Sequence, residues 1–221
     1  MEFSLTTEQR DLVEAARAFS EERIAPFYRQ RDREGCMHRP TLLELGRLGF
    51  FGIELPESVG GLGQSCLTAG LVVEALCAAD MNVGYASINA SLLGRMMYEH
   101  GRPEIVNPWI QGMLRGEFLP AIALTEPGGG SDAANLTLKA RRDGDSYLIS
   151  GEKTSISMAS QADFAVVFAR TGTPEDKARG ISAFLVPLDL PGITRTEFDD
   201  HGTRSVGRGS LFFDGVRVPA S

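Results

Sequence analysis

The stretch Ala121-Ile-Ala-Leu-Thr-Glu-Pro-Gly-Gly-Gly-Ser-Asp132 decides how the rest of the chain is read. A short apolar run enters Thr125-Glu126-Pro127, and three glycines, a hydroxyl and a carboxylate follow. Such a segment reads as a strand ending in a loop that brings bare backbone close to a flat or anionic ligand. Glycine permits the approach because it lacks Cβ and tolerates positive φ. Successive N–H groups in a turn of this kind can form an anion-binding nest. A plain surface turn has the same composition, so the flanking segments have to decide between the two.

On the N-terminal side the pattern is helical. Leu5-Thr6-x-x-Gln9 has the form of a capping box preceded by a hydrophobic staple. Leu12, Val13, Ala16, Phe19 and Ile24 then follow at helical spacing and give one apolar face. A second helix is expected over about Pro40–Leu48, with Leu42, Leu43, Leu45 and Leu48 as its buried stripe. Residues 49–63 read as loop, turned by Pro56, Gly60, Gly61 and Gly63. The segment from Leu67 to Ala79 is apolar nearly all round and reads as a helix buried on most sides. Another helix covers about Val83–His100, where Gly84, Ala86, Ser87 and Ser91 allow a neighbour or a ligand to come close. Gly101 ends it and Pro103 opens a last helix that runs to about Arg115.

After Pro120 the period changes from helical to alternating. Leu136-Thr-Leu-Lys-Ala-Arg alternates apolar and polar, as a half-buried strand does. Asp143-Gly144 signals a hairpin into Tyr147–Ser150. Asp163–Arg170, Ile181–Leu188, Ile193–Phe198 and Ser210–Phe213 supply further strands. The fold class is therefore α+β: an N-terminal all-α domain, residues 1–119, followed by a small β-barrel or sandwich, residues 120–221. No GxGxxG within βαβ alternation and no P-loop motif occur, which speaks against a Rossmann or P-loop nucleotide site.

Composition narrows the function further. Of 221 residues 43% are hydrophobic and 23% charged, an ordinary globular balance. A formal net charge of −7 with no basic stripe argues against nucleic acid as a partner. No apolar run approaches the roughly 20 residues of a membrane span. The N-terminus is acidic and lacks a signal-type apolar core. Cys36, Cys66 and Cys77 form no CxxC pair, and an odd number does not suit a disulfide framework, so they read as reduced, mostly buried thiols of a cytoplasmic protein. Cys36 and His38 lack a second ligand pair, so no metal site is expected.

A helical half followed by a β half, joined just before Leu124-Thr-Glu-Pro-Gly-Gly-Gly-Ser-Asp132, resembles the acyl-CoA dehydrogenase family. Three other segments carry the likeness. Pro56-Glu-x-x-Gly-Gly-x-Gly63 is similar to the loop after the family's second helix. Gly151-Glu-Lys-Thr-Ser-Ile-Ser157 stands where the family has Gly-x-Lys-x-aromatic-Ile-Thr. Gly202-Thr-Arg-Ser, with Phe213-Asp-Gly-Val-Arg-Val-Pro219, looks like the end of the family's β domain. The resemblance implies a non-covalent FAD and an acyl-CoA substrate. It implies desaturation of the thioester by α-proton removal and β-hydride transfer to flavin N5. It also implies an oligomer and an electron-transferring flavoprotein as possible partners.

Residue by residue, the resemblance places the backbone of Ile122 and Leu124 along the isoalloxazine and the Thr125 hydroxyl at the flavin pyrimidine edge. Gly130 and Ser131 match the loop that meets the FAD phosphates and the CoA side, with Ser131 as the substrate contact. Ser155, Ile156 and Ser157 complete the cofactor set, Ser157 replacing the family's Thr near N5. Donors aimed at N1, O2 and N5 stabilise negative charge on a reduced ring. Two departures stand out. Ser155 replaces the aromatic that shields one flavin face, which affects the usual electron exit and is compatible with a branch for alicyclic or aromatic-pathway thioesters. The family's C-terminal helical bundle, which carries the catalytic carboxylate, is not in this sequence. No catalytic residue is assigned, and Glu54, Glu57 and Glu126 read as structural. The expectation is thus a dehydrogenase present as a truncated chain or as part of a split enzyme. The alternative is a non-catalytic flavin- or acyl-CoA-binding module that has lost the base.

Overall fold

A computed structural model describes residues 4–220, so the expected domain limits at 1 and 221 lie outside the described residues. The chain divides into two compact units, one formed by residues up to Phe118 with His201–Val206, the other by Leu119–Asp200 with the residues from Gly207 onward.

The first unit is helical: α1 (Thr7–Phe19), α2 (Tyr28–Glu34), α3 (Arg39–Arg47), α4 (Cys66–Ala79), α5 (Met81–His100) and α6 (Pro103–Leu114). The capping box forms as the sequence predicts. Gln9 N–H donates to the Thr6 hydroxyl (3.2 Å) and Thr6 N–H to the Gln9 side chain (3.0 Å). Val13 and Ala16 are buried, whereas Leu12 and Phe19 are half-buried. The chain reaches the buried Ile24 through a π-turn at Ser20–Ile24, where the Ser20 hydroxyl donates to Ala75 O (3.2 Å). In α3 the stripe is Leu42 and Leu45. Leu48 is 44% exposed, contrary to expectation, because it caps the helix just where Gly49, at φ 77°, turns the chain away.

Residues 49–65 form a loop that bonds to itself, with Leu62 N–H to Gly52 O, Gly63 N–H to Leu55 O and Gln64 N–H to Ile53 O. That closure buries Phe50, Phe51, Ile53 and Leu55. α4 is less enclosed than its composition predicts: Thr68, Ala69, Val72, Ala75 and Leu76 are buried, but Leu67 is 62% exposed. The small residues of α5 admit a neighbouring helix, since a Cβ on Gly84 would lie 2.2 Å from the Cys77 sulfur of α4. Between α4 and α5 the buried Asp80 bonds Arg31 (Nε to Oδ2, 2.8 Å) and caps α5 through Asn82 N–H (2.9 Å). The segment 201–206 belongs to this unit through its packing on α2 and α5.

The second unit is one mixed sheet of seven strands: β1 (Pro120–Ala123), β2 (Lys139–Asp143), β3 (Ser146–Ile156), β4 (Phe164–Arg170), β5 (Ile181–Pro187), β6 (Ile193–Glu197) and β7 (Gly209–Pro219). The order is β1-β4-β2-β3-β7-β6, with β5 on the other side of β4. An α+β chain was expected, and its β half is this single sheet. The Asp143-Gly144 hairpin forms, with Asp143 opposite Ser146 and Gly144 at φ 62°. β3 and β7 are longer than their sequence patterns suggest, pairing from Ser146↔Pro219 to Ile156↔Gly209. β2 begins later than expected. Leu136 and Leu138 are buried, but the N–H groups of Thr137 and Leu138 donate to the Glu126 carboxylate instead of to a strand.

Candidate functional site

The segment that opened the sequence analysis lies in the second unit, where the end of β1 comes beside β3. β1 pairs as a strand with β4 alone, in parallel, from Pro120↔Phe164 to Ala123↔Val167. Ala121 and Ala123 are fully buried, whereas Ile122 and Leu124 are only half-buried. The expected cofactor-facing pair is therefore the more accessible one, and the alanines supply the core. On its other side the end of β1 meets β3 where Thr154 N–H donates to Thr125 O (2.9 Å).

Just past that bond β3 bulges. Its pairing with β7 steps from Lys153↔Leu211 to Ile156↔Gly209, three residues against two. The extra residue bends the strand and re-aims its side chains. Ser155 sits on the bulge at φ 56°, exposed, and the Thr154 and Ser210 hydroxyls share a hydrogen bond of 2.9 Å beneath it. Ser157 is half-buried. The Ile156 side chain, 2% exposed, points into the sheet's core, so its backbone is the part left to face a ligand.

The loop after β1 closes as a tight turn, Glu126 N–H to Gly129 O (3.2 Å) and Gly129 N–H to Glu126 O (3.0 Å). Since the Gly129 N–H is used inside the turn, the nest expected from successive N–H groups is interrupted there. A Cβ on Gly128 or Gly129 would meet nothing within 4 Å, so this backbone is open to approach. A Cβ on Gly130 would come within 3.3 Å of the Thr125 methyl, which brings Gly130 and Thr125 together; Ser131 follows, exposed. Thr125, Gly130 and Ser155 thus share one locality around the end of β1.

Two side chains beneath this surface were not singled out in the sequence. Lys153, 0% exposed, donates from Nζ to Leu124 O (2.9 Å) and Glu126 Oε1 (2.8 Å). Glu126 also accepts from Thr137 N–H (2.6 Å), the Thr137 hydroxyl (2.7 Å) and Leu138 N–H (2.9 Å). Burial pushes the Glu126 carboxyl up, but the bonds from Lys153, Thr137 and Leu138 outweigh it and hold the group below the ordinary carboxylate range. Burial drags Lys153 below the ordinary lysine range even with Glu126 beside it. The carboxylate, with more donors, is the firmer charge of the two. Arg170 is the second. Its guanidinium donates to four carbonyls, those of Leu136, Ala134, Thr173 and Lys177, and so ties residues 134–136 to 173–177. A signal for Lys153 existed: it falls on the inward parity of β3 with Ile149.

Glu126 is thus locked and does not resemble a free base. Glu54 bonds Ser91 and Arg95 in the first unit. Among the described residues no group of three or more His, Cys, Asp or Glu is placed to hold a metal ion, and no helix is long and apolar enough to cross a membrane. The described cysteines are free thiols but not mostly buried as expected: Cys36 and Cys66 are exposed, the latter at the first position of α4, and Cys77 is partly buried.

Comparison with known proteins agrees along the whole chain. Residues 6–117 match the family described as acyl-CoA dehydrogenase, N-terminal domain, and residues 121–216 match acyl-CoA dehydrogenase, middle domain. Benzylmalonyl-CoA dehydrogenase of Aromatoleum aromaticum is 37% identical over 100% of this chain and 58% of its own length. Butyryl-CoA dehydrogenase of Megasphaera elsdenii superposes with a TM-score of 0.91 at 31% identity, over 100% of this chain and 59% of that one. A glutaryl-CoA dehydrogenase from Mycobacterium smegmatis, solved in complex with FADH2, gives 0.89 at 30% identity over 98% and 55%. The chain therefore spans less than three fifths of the length of these relatives.

Proposed function

Because this chain belongs to the acyl-CoA dehydrogenase family, we propose that it is the N-terminal and middle part of an FAD-dependent enzyme that desaturates an acyl-CoA thioester between its α and β carbons. The observation that carries the proposal is the open end of β1, with Thr125, the bare Gly128–Gly129 turn and the Ser155 bulge gathered around it. These residues fit a flavin. A planar ring with an amide-like edge matches the backbone at the end of β1, which beyond Ala123 is no longer paired as a strand, and no side chain on Gly128 or Gly129 bars the way. A neighbouring structure that holds FADH2 supports the same reading.

Bound FAD supplies the two-electron acceptor that takes a hydride. The chain's own part is to hold and orient. Ile122 and Leu124 lie along the ring, and Thr125 donates at its pyrimidine edge. Ser157 and the Ser155–Ile156 backbone approach the region of N5, and Gly130 and Ser131 face the phosphates and the thioester carrier. The proton-abstracting carboxylate comes from outside these 221 residues, on further residues of the same polypeptide or on a companion subunit. The engagement of Glu126 by Lys153, Thr137 and Leu138 supports this, since a group held below its usual range is a poor base. An oligomer, a cytoplasmic location and reoxidation by an electron-transferring flavoprotein belong to the same proposal. The free thiols support the location, and the exposed Ser155 is where the electron exit would differ from that of relatives with an aromatic there.

The test is the flavin absorbance of the full-length protein, recorded anaerobically before and after a panel of straight-chain, branched and aromatic acyl-CoAs. Bleaching by one class establishes the dehydrogenase and its substrate together. Flavin bands that persist with every thioester favour a binding module without a base. A protein that retains no flavin overturns the reading.

A further inference from the structure

Lys153 is a fully buried cation whose ammonium reaches the backbone of β1 as well as its counter-ion. A peptide group is planar and trans, so a carbonyl and the N–H that follows it point in opposite directions. The Leu124 carbonyl is held toward Lys153 at 2.9 Å, which turns the Thr125 N–H to the far side of the strand. That N–H has no hydrogen-bond partner among the described residues. The next peptide is fixed independently, because Thr125 O accepts from Thr154 N–H and Glu126 N–H donates to Gly129 O. Glu126 keeps Lys153 from swinging away, and its own carboxylate is tied to the backbone at 137–138. A single ion pair thus joins the end of β1, the approach to β2 and the body of β3.

We infer that Lys153 is a positioning residue: by holding the Leu124 carbonyl, it sets the Leu124–Thr125 peptide plane and presents the Thr125 N–H as a fixed donor for the electron-rich edge of a flavin. This rests on the flavin reading above and adds to it a residue that never touches the ring. Pre-set donors bind more tightly than ones that must be ordered on binding.

The test separates positioning from mere support of the fold. Wild type, Lys153→Met and the double variant Lys153→Met with Glu126→Gln are compared in the full-length protein. The readouts are urea midpoint, FAD dissociation constant by flavin fluorescence, and hydrogen exchange of the peptide covering 121–126 with and without FAD. The double variant, with both charges gone, is expected to recover most of the midpoint lost in the single one. Both variants are expected to bind FAD about tenfold more weakly, the worth of one mis-aimed hydrogen bond, and to show less FAD-induced protection at 121–126. A double variant with wild-type affinity and protection overturns the proposal, leaving Lys153 a support only. If wild type itself binds no FAD, the flavin reading falls separately. Exchange without FAD then decides the peptide-plane claim, because equal rates at 121–126 in wild type and double variant overturn it.

Discussion

Glu126→Gln is the substitution whose cost can be worked out most fully. The carboxylate is 7% exposed and receives four hydrogen bonds, from Lys153 Nζ, Thr137 N–H, the Thr137 hydroxyl and Leu138 N–H. Glutamine keeps one acceptor oxygen, offers an NH2 where an acceptor stood, and leaves the 0% exposed Lys153 without a counter-charge. Breaking a buried pair from one side costs about 3–5 kcal/mol. Against a typical domain stability of about 5–15 kcal/mol, that is a fifth of the total or more. Urea unfolding at pH 7 should show it as a lowered midpoint with little change in slope. The pH dependence has a definite sign. A carboxyl held below its unfolded value contributes stability above about pH 4.3, and the contribution is lost as pH falls through the lower, folded value. The gap between wild type and Glu126→Gln should therefore be full at pH 7 and begin to narrow only as pH falls below about 4.3. A loss of less than about 1 kcal/mol at pH 7, or a gap that has already closed above about pH 4.3, would refute the claim that this pair is buried and charged.

Two other outcomes are expected. Asp80→Ala removes both the α5 cap and the partner of Arg31, whose side chain is 3% exposed. It should cost about 4–6 kcal/mol, seen as early loss of helical circular dichroism on urea titration. Ser155→Gly relieves a φ of 56° that only glycine adopts freely, and should raise stability by a few tenths to about 1 kcal/mol in the same assay. A loss of stability there would show that the serine hydroxyl has a partner.

How far the sequence revealed these features depended on whether local chemistry or a distant partner controlled them. The Thr6–Gln9 capping box and the Gly144 hairpin are set by neighbours in the chain, and both form as predicted. The run into Thr125 was read as a strand ending in a loop, and β1 does end at Ala123; only the structure shows that Ala121 and Ala123 carry the core while Ile122 and Leu124 are half-buried. The start of β2 was misplaced because Glu126, eleven residues before Thr137, takes over the backbone donors that a strand would use. Lys153 was read as one letter of a motif, since lysine is rarely buried unless paired, and its pair is 27 positions away. The bulge at Ser155 was invisible because it arises from a register difference between β3 and β7, which neither strand encodes alone.

The π-turn at Ser20–Ile24 has a consequence for the tolerance of this chain to insertions and deletions. A π-turn accommodates one residue more than an α-turn. Removing a single residue there would turn the π-turn into an α-turn and leave the flanking stretches close to their present phase, whereas the same deletion within the regular turns of α1 would rotate everything downstream by about 100°. In that second case Arg31, whose Nε now meets Asp80 at 2.8 Å, would be carried around the helix axis away from its partner. The turn is thus the place in this stretch that absorbs a length change of one residue with least harm.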